Sequence, residues 1–130
     1  MIMVSRKEFE ELVDRVVVQL PDTYLSRLKN VAILVQDEPD MAQRHKLMLR
    51  PNQSLFGLYE GVPLTQRQGV VKILPDKITI FQKPLEYASN NMNDLFQNLG
   101  RTVWHEVAHY FGLNHDQINE LESKEKNKES

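Results

Sequence analysis

Apolar residues recur at intervals of three and four from Ser5 to Leu20, at Phe9, Leu12, Val13, Val16, Val17 and Leu20. That spacing gives a helix one buried face. Ser5 with Glu8 three residues on has the form of a capping box, and Pro21 stops the helix. Asp22 is placed to cap a short second helix running to Leu28, with Leu25 and Leu28 turned inward. Val31 to Val35 is a compact run rich in β-branched residues and reads as a central strand. The acidic segment Asp37-Glu38-Pro39-Asp40 reads as a solvated turn after it, and residues 41 to 53 lack a clear period, which suits an exposed loop or short helix.

Further on, Leu55 to Tyr59 predicts a short strand, with Gly57, Gly61 and Pro63 punctuating a turn. The polar loop from Glu60 to Gly69 could cross the mouth of a cleft. Val70 to Leu74 and Ile78 to Phe81 read as two extended runs joined by the tight turn Pro75-Asp76-Lys77. Pro84 to Ala88 starts a short helix that Ser89-Asn90-Asn91 breaks. From Met92 or Asn93 to Phe111, the set Leu95, Phe96, Leu99, Val103, Val107 and Phe111 keeps helical spacing, so a long core helix is expected there, with Gly100 its weak point. Asp116 to Leu121 suits another short helix, and residues 123–130 form a charged tail expected to be disordered. The pattern predicts one α+β domain over residues 1–122: a small mixed or mostly antiparallel sheet packed against an N-terminal helix and a long second helix.

Composition narrows the choice of chemistry. With 130 residues, 41% of them hydrophobic, the chain can bury one modest core. A net charge of −2 gives no electrostatic reason to expect nucleic acid or an anionic membrane as partner. Cysteine is absent, so any metal must be held by His, Asp or Glu. Met1 to Glu11 lacks the apolar core of a signal peptide, and no apolar run approaches the ~18 residues of a membrane span. A cytoplasmic protein is the expectation.

Three of the four histidines fall within eleven residues, His105-Glu106-Val107-Ala108-His109-Tyr110-Phe111-Gly112-Leu113-Asn114-His115. Residues four apart share a helix face, so His105 and His109 can direct two imidazoles at one tetrahedral ion. Glu106, one residue after the first of them, can reach a water beside the ion without binding the metal, which suits a general base. Gly112 can take the positive φ that ends a helix, after which His115 could return as third ligand and leave the fourth position open, as a catalytic zinc site requires. A His-Glu-x-x-His match arises by chance in roughly one chain in a hundred, and adding Gly112 and His115 at fixed offsets brings this to about one in a hundred thousand. His45, with no partner at a matching spacing, reads as a surface histidine.

This eleven-residue pattern resembles the extended zinc motif of metzincin peptidases. One departure is that those families carry a methionine turn downstream of the third ligand, whereas no Met follows His115. The chain is more similar to the short bacterial zincin-like proteins called minimal metallopeptidases, which keep the active-site helix near the C-terminus and lack that turn. Gly57-Leu58-Tyr59-Glu60-Gly61-Val62-Pro63-Leu64-Thr65 and Ile78-Thr79-Ile80-Phe81-Gln82-Lys83-Pro84-Leu85-Glu86 look like that family's characteristic stretches in the same order. Matches extend from about Phe9 to Leu121. The resemblance implies one zinc ion on His105, His109 and His115, Glu106 as catalytic base, and hydrolysis of a peptide bond. Its members often have an acidic residue at the position of His115, which leaves Asp116 as a competing ligand. It also implies that residues 78–83 form an edge strand along which an extended peptide substrate pairs. Tyr59, Arg67, Tyr87 and Tyr110 are the possible oxyanion donors. The rival expectation is a zinc-binding domain without catalysis, serving fold stability or a protein interface.

Overall fold

The computed structural model describes residues 1–62, 75–113 and 116–117. The expected run at 70–74, most of the loop at 60–69, Arg67, His115, the helix beyond Gln117 and the tail at 123–130 lie outside the described residues. Among the described residues the main elements are α1 (Arg6–Val18), α2 (Asp22–Leu25), β1 (Val31–Gln36), α3 (Met41–Lys46), β2 (Gly57–Glu60), β3 (Asp76–Phe81), α4 (Gln82–Ala88) and α5 (Met92–Tyr110). The fold is α+β.

Local signals set most of these boundaries. Ser5 caps α1, its hydroxyl accepting the Glu8 amide at 3.1 Å. The acidic turn after β1 is used rather than merely solvated. Asp37 pairs with Arg6, and Asp40 forms a capping box with Gln43 that starts α3 within the stretch that lacked a period. Asn91 caps α5 through the Asp94 amide at 2.9 Å. Gly112 ends α5 with φ 74°, where the Leu113 amide bonds the Ala108 carbonyl at 3.0 Å and the Gly112 amide bonds the His109 carbonyl at 2.9 Å. These two bonds make a Schellman cap, as the glycine's position predicted.

The three strands form one mixed sheet in the order β1-β3-β2, with β1 parallel and β2 antiparallel to β3. Two expectations are corrected here. Among the described residues, Val31–Gln36 is an outer strand of this sheet, with Leu34 45% exposed, while Asp76–Phe81 is the central one. Residues 78–80 pair on both sides, Phe81 pairs with Gln36 and donates its amide to the Phe56 carbonyl, and Gln82 and Lys83 already belong to α4. Residues 78–83 therefore have no open ladder of amides and carbonyls to offer a peptide. The apolar stripes of α1 and α5 meet on β3: Phe9, Leu12, Val13 and Val16 pack with Leu95, Leu99, Val103, Val107, Ile78, Ile80 and Leu85 in one cluster.

Candidate metal centre and active site

The last two turns of α5 carry the motif, and packing fixes them. Val103 and Val107 anchor the helix in the core, while Trp104, Phe111 and Tyr24 stack edge to face, with centroids 5.0 Å and 5.3 Å from Tyr24. Tyr110 is 2% exposed, and its hydroxyl donates to the Lys29 carbonyl at 3.0 Å. On the opposite side of the same turns, His105 and His109 are half-buried, their Nε2 atoms 3.1 Å apart and their rings at 75°.

That separation can be tested against a metal. Nitrogen ligands about 2.0–2.1 Å from a tetrahedral zinc lie roughly 3.3 Å from each other. At 3.1 Å, a slight rotation of either imidazole brings the two nitrogens to that spacing. Without metal, the same approach suits an N–H···N bond between a donor and an acceptor tautomer. The pair fits zinc as two neutral nitrogen donors. Among the described residues, exposed Asp116 included, no third His, Cys, Asp or Glu completes a ligand group with them. His115, the third ligand expected from the sequence, lies outside the described residues.

Glu106 sits beneath the start of β2, 8% exposed. Its Oε1 accepts the backbone amide of Tyr59 at 3.0 Å. Burial pushes its pKa up to about 7, and the Tyr59 amide, which favours the charged form, offsets part of that rise. A cation beside the carboxylate would lower the value again. Such close approach of strand to helix depends on Gly57. A Cβ there would stand 2.8 Å from Thr102 Cγ2 and 3.1 Å from Glu106 Cγ, both closer than normal packing allows. Read as a turn residue in the sequence, Gly57 is instead the point where β2 presses on α5.

A cleft of about 340 Å³ opens at this junction, walled by Leu55, Phe56 and Gly57 on one side and by Asn98, Arg101, Thr102, His105 and Glu106 on the other. The Phe56 carbonyl bonds the Phe81 amide of β3. By the alternation of an antiparallel ladder, the backbone groups of Gly57 face the opposite way, the same way as the Tyr59 amide that meets Glu106. Asn98 and Arg101 precede His105 by seven and four residues, a spacing from which they could have been recognised as sharing its face.

The expected oxyanion donors fare differently. Tyr59 donates its hydroxyl to Asp76 at 2.7 Å and Tyr110 to Lys29, so both hydroxyls are engaged away from the cleft. Tyr87, 77% exposed on α4, lines a separate groove that meets the cleft at Phe56.

A model of the zincin-like metallopeptidase family matches residues 28–125. The chain belongs to that family. Membership makes a zinc-dependent hydrolase the coarse reading of this zincin-like chain. Among curated proteins none matches. Among solved structures, a conserved hypothetical protein from Thermo thermophilus is similar with a TM-score of 0.56 and 18% identity, covering 83% of this chain and 94% of its own. At that identity the likeness establishes a shared fold. Among the described residues, no helix of this zincin-like chain is long and apolar enough to cross a membrane.

Proposed function

We propose that this protein is a zinc-dependent peptidase whose metal is held by His105, His109 and His115 and whose general base is Glu106. The observation that carries the reading is the convergence of two imidazole Nε2 atoms, 3.1 Å apart, beside a buried carboxylate at the wall of an open cleft. A structural metal site has no use for that carboxylate.

Bound zinc would supply Lewis acidity, polarising the scissile carbonyl and making water acidic near neutral pH. The chain's own groups do the rest. The Tyr59 amide holds Oε1 of Glu106, which leaves Oε2 to take the proton of the attacking water and return it to the departing amine. Burial raises the pKa of this carboxyl and a bound cation would lower it again, so the two act on Glu106 in opposite directions. Gly57 keeps β2 close enough for the Tyr59 contact, and its own backbone groups face away from β3 beside the cleft. An extended substrate therefore fits between Leu55–Gly57 and the Asn98–His105 face of α5, not along residues 78–83.

The direct test compares the zinc-loaded protein with Glu106→Gln on a degenerate peptide library read by mass spectrometry. Loss of cleavage by about 10²–10⁴-fold with zinc retained is expected for a general base. Cleavage by the variant at the native rate would remove Glu106 from its role. Zinc binding without cleavage by either protein would favour the non-catalytic reading.

A further inference from the structure

The cleft beside His105 and Glu106 has one formal cation among its described walls, Arg101, one helical turn before His105. Its Nη2 donates to Asn98 Oδ1 at 2.6 Å, which draws the guanidinium along the helix away from the histidines. Among the described residues no carboxylate pairs with it. Arg6, by contrast, is paired with Asp37, and Arg44 donates to the carbonyls of Arg50 and Gln53. A guanidinium presents five N–H donors in a planar fork, and one engaged nitrogen leaves an edge that matches a carboxylate. Facing it across the cleft are Leu55 and Phe56, the latter 43% exposed, an apolar wall for the neighbouring part of a peptide.

We propose that Arg101 is a specificity residue that anchors a carboxylate of the substrate, so that the peptides taken carry an acidic side chain or a free α-carboxylate near the scissile bond. This rests on the peptidase reading of the same cleft. Four residues of helix rise span about 6 Å, and an extended peptide advances about 3.3 Å per residue. The anchored carboxylate therefore belongs about two residues from the bond cleaved. That distance separates the role from oxyanion stabilisation, which would need a donor at the reacting carbonyl.

The test uses zinc-loaded Glu106→Gln protein, so that binding is read without turnover. The probes are four decapeptide pools labelled with an uncharged, carboxylate-free BODIPY dye, containing either Glu or Gln at the degenerate positions and ending in either a free or an amidated C-terminus. Fluorescence anisotropy should show roughly tenfold tighter binding to a pool with a carboxylate than to the Gln amide pool, the scale of a partly solvated charged hydrogen bond. The Glu and free-terminus arms distinguish a side-chain carboxylate from the α-carboxylate. Arg101→Gln should abolish the preference and Arg101→Lys retain part of it. Equal binding to all four pools, no binding to any, or a preference that survives Arg101→Gln would overturn the proposal. Cleavage of the same pools by native zinc-loaded protein is scored separately. A carboxylate preference without cleavage keeps the anchor and removes the peptidase reading, and cleavage without preference removes the anchor alone.

Discussion

Along α5, Leu95, Leu99, Val103 and Val107 are fully buried in the core with α1 and β3, whereas Asn98, Arg101 and His105 line a cleft on a neighbouring face. The first face depends on shape and apolar area, and each residue there could be exchanged for another of similar volume at modest cost. The second depends on particular atoms, with partners brought from far away in sequence: Glu106 meets the Tyr59 amide across 47 positions. Glu106 belongs to both faces, buried like the first and ionisable like the second. Substitutions on the apolar face should therefore cost stability and spare metal binding. Substitution of the histidines beside the cleft should do the reverse.

The largest expected stability effect falls on the apolar face. Leu99→Ala should destabilise the protein by about 2–5 kcal/mol in urea denaturation, the cost of a buried leucine and its cavity, while the folded fraction keeps its zinc affinity. A matching fall in zinc affinity would show that the two faces are not separable.

Glu106 sharpens the comparison through pH. Its folded pKa is raised from 4.5 to about 7 by burial, so the stability it contributes to the metal-free protein is fully present below the unfolded value and lost as pH rises through the folded one. The stability difference between native protein and Glu106→Gln, measured in chelator, should move against the native protein by up to about 3 kcal/mol between pH 4 and pH 8. A difference that stays flat would mean that the carboxyl is better solvated than its position beneath β2 implies.

Gly57→Ala should cost about 1–3 kcal/mol, because its Cβ would meet the stiff Thr102 Cγ2 at 2.8 Å. Adding Thr102→Ser removes that methyl, keeps a hydroxyl able to donate to the Asn98 carbonyl, and should restore part of the loss in a double-mutant cycle. Strict additivity would place the strain elsewhere.

The sequence carried the parts that local rules decide. The helical period of α1 and α5, the Ser5 cap, the turn at Gly112 and the shared face of His105 and His109 all follow from spacing within one element. Strand order does not. Val31–Val35 and Ile78–Phe81 are both short apolar runs, and which of them lies in the middle depends on what pairs with each, a property no window along the chain contains. Thr79 is a polar residue within the Ile78–Phe81 run, yet it is fully buried because helices and strands close around β3. Gly57 carries a turn signal in sequence, and its function as a close contact becomes visible only when β2 lies against Thr102 and Glu106. Nothing in the spacing could assign the Tyr59 amide to Glu106, since a backbone donor leaves no mark on residue type. Arg101 was more accessible, standing one turn before His105 on the same face, but a lone exposed arginine carries no chemistry until a cleft is placed beside it.

The central claim is that α5 presents a zinc site whose neighbouring carboxylate is not a ligand. Elemental analysis of the purified protein, beside His105→Ala, His109→Ala, His115→Ala and Glu106→Gln, tests it most directly. The account predicts one zinc per chain in the native protein and in Glu106→Gln, and loss or weakening of zinc in each histidine variant. Zinc retained by both His105→Ala and His109→Ala, or lost from Glu106→Gln, would contradict it.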